Sequence, residues 1–316
     1  MTEFSDRYYT SFDGLKLHYR DYAGPAQPRH TVLCLHGLTR NARDFEALAL
    51  HLAQWNRVLV IDFRGRGESE NATDPMTYVP PVYVQDVKAL LDAANVTEAV
   101  FIGTSLGGLV TMISANVIRH RVKAAVLNDI GPDLGAEGMA RIATYVASDP
   151  AFTSWDECVA ELIRLNTHVF PDWTEDQWLV MAKRLCRMHD DGTIHTDYDK
   201  QLAVPFMQLD PEKPVDLWPY FEALKGIPAL SIRGGTSDLF SEETFAKMKT
   251  VYPALRQATV PGVGHAPYLL EPEAIGAIEA LLRDVPAKTG LIKRIVKRIT
   301  AIYFFFRAVN LAKNAA

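Results

Sequence analysis

The chain has 316 residues, 48% hydrophobic and 22% charged, with a formal net charge of −5; this excludes a collagen-like, disordered or disulfide-scaffold protein and fits one large domain carrying an insertion. The charge is unevenly placed, because residues 287–316 hold seven Lys and Arg and no acid while residues 1–286 carry −12. An acidic body argues against nucleic acid as its partner.

Short alternating segments at Arg7–Ser11 and Leu15–Tyr22, joined by Phe12-Asp13-Gly14, predict a β-hairpin, since Asp-Gly is a tight-turn signal. From Thr31 the pattern changes to short apolar runs at Thr31–His36, Arg57–Asp62, Ala99–Gly103, Lys123–Leu127, Ala229–Arg233 and Gln257–Val260. Runs of that length alternating with helices predict a parallel sheet buried on both faces. Helical periodicity is clearest at Pro81–Ala94, Leu106–Arg119 and Glu273–Leu282. Between Leu127 and Ala229 no strand-like run is expected. Helices near Ala136–Ala147, Ser154–His168 and Thr174–His189, carrying Trp155, Trp173 and Trp178, form an excursion that reads as a lid over one edge of the sheet. The tryptophans are read as its core.

Gly103-Thr104-Ser105-Leu106-Gly107 fits G-x-S-x-G, with a strand before it and a helix after it. A serine on that sharp turn adopts a strained backbone, which requires neighbours two residues away that lack a Cβ. Ser105 then projects at the carboxyl edge of the sheet, beside a helix N-terminus whose partial positive charge favours an alkoxide-like oxygen.

With that context the chain resembles the α/β-hydrolase family over residues 8 to about 285. His36-Gly37-Leu38 matches the family's oxyanion loop, Asp62-Phe63-Arg64-Gly65-Arg66-Gly67-Glu68-Ser69 its turn after the next strand, and Gly264-His265 its catalytic histidine segment. The resemblance implies an α/β-hydrolase fold, a mostly parallel doubly wound sheet with an inserted helical lid. The core is expected at 1–130 and 214–286, the lid at 131–213 and a basic amphipathic extension at 287–316.

A serine hydroxyl needs an adjacent base. His265 follows the last predicted strand and shares a sheet edge with Ser105, whereas the family pattern makes His36 a structural neighbour in the oxyanion loop. His168, His189 and His195 fall in the lid. The imidazole in turn needs a carboxylate. Asp238, after the strand Ala229–Arg233, gives the chain order Ser, Asp, His of this fold and is the preferred acid. Asp129, after Lys123–Leu127, is the alternative. Backbone N–H groups of Leu38 and Leu106 are the expected oxyanion donors. Asp62 and Arg64 are expected to hold their turn. Arg40, Asn41 and Asp44 follow the oxyanion loop, where Asn41 is expected to cap a helix and Arg40 to face substrate or solvent. Cys34 is expected to pack in the core.

The chemistry implied is hydrolysis of a small-molecule carboxylic ester through an acyl-enzyme, with no cofactor or metal. Lactonase, thioesterase, carbon–carbon bond hydrolase and cofactor-free perhydrolase activities share the same machinery, and a non-catalytic ligand receptor shares the same fold. A serine at the elbow argues against dehalogenase or epoxide-hydrolase chemistry. Three scattered cysteines, Cys34, Cys158 and Cys186, fit a reduced cytoplasmic setting. The polar start shows no signal-peptide pattern, and no uncharged apolar stretch approaches the roughly 20 residues that span a bilayer. In the tail, Ile292, Ile295, Val296, Ile299, Ile302, Tyr303 and Phe306 share one helical face opposite Lys293, Arg294, Lys297 and Arg298. Such a helix reads either as an in-plane anchor on an inner membrane surface or as a segment docked on the acidic body or on a second subunit.

Overall fold

The computed structural model describes residues 4–208 and 215–287. The basic tail from Lys288 onward, and with it the membrane or subunit contact expected there, lies outside the described residues.

Chain order gives the hairpin β1 (Ser5–Thr10) and β2 (Lys16–Tyr22), then β3 (Thr31–Leu35), α1 (Glu46–Leu52), β4 (Arg57–Ile61), α2 (Pro80–Ala93), β5 (Ala99–Thr104), α3 (Leu106–Val117) and β6 (Val122–Asn128). An excursion follows: α4 (Ala136–Val146), α5 (Trp155–Asn166), α6 (Glu175–Leu185), the short hairpin β7 (Cys186–Met188) and β8 (Ile194–Thr196), and α7 (Ala203–Met207). The chain closes with α8 (Trp218–Glu222), β9 (Ala229–Gly234), α9 (Glu242–Val251), β10 (Arg256–Val260) and α10 (Pro272–Asp284).

Eight strands form one sheet in the order β1-β2-β4-β3-β5-β6-β9-β10. The first two pairings are antiparallel, and every pairing from β4 to β10 is parallel. This is the doubly wound fold class implied by the resemblance. The strands are continuously apolar because both faces are covered. Along β5, Phe101 packs on one side with Tyr83, Val87 and Leu90 of α2 and Val110 of α3, while Val100 and Ile102 pack on the other with Leu48 of α1 and Ile278 and Leu281 of α10. The period of two assigns alternate residues to the two cores. Cys34 is fully buried in the second of them.

The excursion has a hydrophobic cluster of its own, in which Cys158, Leu162, Phe170, Trp178, Met181, Ala182 and Ile194 are buried and Trp155 and Trp173 pack against them. Trp173 stacks on Phe170 with ring centroids 3.9 Å apart. Polar ties fasten this cluster to the sheet layer: Asn41 Nδ2 and Arg43 Nε donate to the Arg184 carbonyl at 2.9 Å each, and Arg43 pairs with Asp197 at 2.6 Å. The end of α6 departs from expectation. The helix expected to run to His189 stops at Leu185, and Cys186–Met188 turns into the β7–β8 hairpin, paired Cys186 to Thr196 through Met188 to Ile194. The turn contains Asp191-Gly192, with Gly192 at φ +85°, which is a hairpin signal; the strands are too short for a period of two to register.

Candidate active site

Parallel strands carry their chemistry at the carboxyl edge, and three loops meet there, after β5, β6 and β10. Ser105 sits between β5 and α3 at φ 50°, ψ −114°, the strained geometry expected of it. Crowding explains why glycines flank it. A Cβ on Gly103 would lie 2.2 Å from the Gly107 carbonyl oxygen, and one on Gly107 would lie 2.0 Å from the Leu35 oxygen. The Ser105 N–H is tied to the Asn128 carbonyl at 2.9 Å, and its Oγ stands at the N-terminus of α3.

His265 Nε2 lies 3.0 Å from Ser105 Oγ, and His265 Nδ1 lies 2.7 Å from Asp129 Oδ2. The carboxylate on the imidazole is therefore that of Asp129, not Asp238. Asp129 follows β6 at φ 53°, a left-handed conformation that Asp adopts more readily than most residues. Its side chain is fully buried, yet satisfied: besides His265 it accepts the Gly234 N–H at 2.6 Å on Oδ1 and the Ser237 hydroxyl at 2.6 Å on Oδ2. The loop after β9, where an acid was expected, thus supplies donors to the acid from β6.

Asp238 is turned elsewhere. It holds Arg141 of α4 in a two-pronged pair, Nε to Oδ2 at 2.6 Å and Nη2 to Oδ1 at 2.9 Å. Burial works against its charge, but the Arg141 bonds and charge prevail and keep the carboxyl below its usual range. The backbone there is fixed by close packing, since Gly135 N–H donates to the Leu239 carbonyl and a Cβ on Gly135 would lie 2.3 Å from the Asp238 oxygen.

His36 is the structural neighbour expected. Its Nδ1 lies 2.8 Å from the Gly37 carbonyl and its Nε2 accepts the Phe63 N–H at 3.1 Å. Those partners require a neutral ring with the proton on Nδ1, and complete burial pushes its pKa down to about 4. The loop it supports is held again where Arg66 Nε donates to the Leu38 carbonyl at 3.0 Å. The Leu38 and Leu106 N–H groups make no hydrogen bond among the described residues, and Leu106, first in α3, has no intrahelical acceptor. Asp62 and Arg64 hold their turn: Asp62 binds the Ala42 and Glu68 N–H groups and His18, while Arg64 binds Asp86 and Asp13. Asn41 caps a single 3₁₀ turn by accepting the Arg43 N–H.

Above Ser105 and His265 lies a small cavity of about 70 Å³. Leu38, Arg40, Asp44 and Phe45 line it from the sheet layer, and Arg141, Tyr145, Phe170 and Met181 from the helical excursion. Of these, sequence reasoning singles out only Leu38, Arg40 and Asp44. Arg141 and Tyr145 are one helical turn apart on α4, a spacing that places them on one face but does not say which face meets the site. A broader open depression around Arg119, His120 and Lys123 lies at the opposite, amino-terminal ends of the strands. It contains none of the groups above.

Comparison with known proteins agrees with this architecture. The profile described as the alpha/beta hydrolase family matches residues 32–278. A 3-hydroxybutyrate-oligomer hydrolase of Cupriavidus necator is 37% identical over 82% of this chain and 90% of its own length. Esterase YbfF of Escherichia coli is 26% identical over 85% of this chain and all of its own. The crystal structure of an alpha/beta hydrolase from Novosphingobium aromaticivorans superposes with a TM-score of 0.84 at 49% identity, covering 90% of this chain and 99% of that one.

Proposed function

The chain belongs to the alpha/beta hydrolase family, and from that premise we propose that it is a serine hydrolase cleaving short-chain carboxylic esters through an acyl-enzyme on Ser105, with oligomers of a 3-hydroxy acid as its substrate class. The observation that carries this reading is the continuous chain from Ser105 Oγ through His265 to the buried Asp129 carboxylate, with spacings of 3.0 and 2.7 Å.

In the first half-reaction the Ser105 oxygen attacks the ester carbonyl carbon as its proton passes to His265 Nε2. The carbonyl oxygen becomes an oxyanion, met by the Leu38 and Leu106 N–H groups; one such donor contributes roughly 3–4 kcal/mol to transition-state stability. The intermediate collapses by breaking the bond to the alcohol, which leaves with the proton from His265. Water then repeats the sequence with His265 as base, releasing the acid and restoring Ser105. Asp129 fixes the Nδ1–H tautomer and stabilises the imidazolium throughout. These steps require no cofactor.

Two observations favour a short hydroxyacyl ester. The cavity is small and partly open, and its walls mix apolar side chains with Arg40, Arg141 and Tyr145. The relative at 37% identity is a hydrolase of 3-hydroxybutyrate oligomers. The helices α4 to α7 are the lid in this reading, closing the site from water. Hydrolysis of the linear 3-hydroxybutyrate dimer, followed by release of monomer, tests the proposal: turnover that vanishes in Ser105→Ala is expected, and absence of turnover by the wild type would refute the substrate class.

A further inference from the structure

Two guanidiniums wall the cavity over Ser105, and the carboxylate that faces it with them is Asp44. Asp129 lies behind His265 and Asp238 behind Arg141. Arg40 meets Asp44 only at 3.6 Å, beyond the 2.7–2.9 Å of a charge-assisted hydrogen bond, and its guanidinium makes no hydrogen bond among the described residues. Arg141 gives Nε and Nη2 to Asp238. Both guanidiniums and Tyr145 line the same cavity. Among the residues that line the cavity two guanidiniums face one carboxylate, with Asp238 offsetting Arg141 from behind, in a partly desolvated space where an anion is held more strongly than in water.

We infer that Arg40 and Arg141 form a subsite for a free carboxylate at one end of the ester substrate, and that Asp238 is the positioning residue that holds Arg141 toward it. The inference deepens the proposed reading and rests on it for turnover, but not for binding. A pair of fasteners holding α4 to the loops would bind charged and neutral ligands alike, whereas a carboxylate subsite separates them.

The test is calorimetric binding of the linear 3-hydroxybutyrate dimer and of its methyl ester to full-length Ser105→Ala. The free acid is expected to bind about ten-fold or more tightly than the methyl ester, the scale of one hydrogen bond to a charged group. Arg40→Gln and Arg141→Gln in that background should each shrink the ratio. In the active protein, Asp238→Asn should raise KM for the dimer more than it lowers kcat. Equal affinity of acid and methyl ester for Ser105→Ala overturns the subsite without reference to the arginine variants. Tight binding of the acid by a wild type that does not cleave it would leave the subsite standing and remove the hydrolase reading instead.

Discussion

Asp129 leaves the end of β6 with its carboxylate already engaged by three donors, from the end of β9, the loop after it and the loop after β10, so its removal is felt first at His265. Asp129→Asn should lower kcat by about 10⁴-fold through loss of the correct tautomer, with circular dichroism unchanged; Asp238→Asn should lower it far less. A larger loss in Asp238→Asn would contradict the assignment. Ser105 and His265 are legible in the sequence because each is defined by its own neighbours: glycines at two residues' distance, and a loop straight after a strand. The acid is not legible in that way. Asp129 and Asp238 both follow predicted strands, and what separates them is where two loops place a Gly234 N–H, a Ser237 hydroxyl and an Arg141 guanidinium, contacts made more than ninety residues apart along the chain. His36 yields a second residue-level prediction. Its pKa falls from near 6.5 to about 4 on folding, so between those values the unfolded state binds more protons and stability falls as pH falls. The contribution is complete above pH 6.5 and lost progressively toward pH 4, amounting to about 3 kcal/mol. Urea unfolding at stepped pH should show that wild type loses more stability over this window than His36→Gln does; parallel losses would contradict it.

At the scale of elements, the strand–serine–helix turn is the most tightly specified segment. A Cβ at Gly107 would meet backbone of β3 at 2.0 Å, and backbone cannot move aside without disturbing the sheet. Gly107→Ala should therefore cost several kcal/mol, about 3 or more, and leave little soluble protein. Gly276 supplies the contrast: it lies within α10, and a methyl group placed on its Cα would meet nothing within 4 Å. Gly276→Ala should stabilise by about 0.5–1 kcal/mol, read as a rise in the midpoint of thermal unfolding with activity retained. A fall there would mean that α10 depends on a close approach not visible in its packing. The central strands and their helices are legible because burial on both faces makes them apolar throughout and because α2, α3 and α10 show a clear 3.6-residue period. The β7–β8 hairpin is not, since three-residue strands carry no period and Cys186 simply continues the apolar face of α6.

For the molecule as a whole, the labour in the proposed reading is divided between a sheet that fixes the reacting groups and an excursion that shapes what reaches them. The first follows from order along the chain; the second can be read there only as a run of helices. Its separate cluster around Trp178 and Phe170 is legible as apolar periodicity, but the orientation of α4 over Ser105 rests on contacts distant in sequence, Ile142 and Val146 in the sheet core, Gly138 against Leu239 and Arg141 with Asp238, which no local pattern encodes. That orientation delivers Arg141 and Tyr145 to the cavity, where the proposed carboxylate subsite lies. The proposed chemistry depends above all on Ser105 being a nucleophile made reactive by its neighbours. Intact-mass spectrometry after treatment with a fluorophosphonate puts that dependence to the proof: a single adduct mapped to the Ser105 peptide, slowed by Asp129→Asn and absent in Ser105→Ala, is the result predicted, whereas an unmodified wild type, or an adduct that persists in Ser105→Ala, would contradict it.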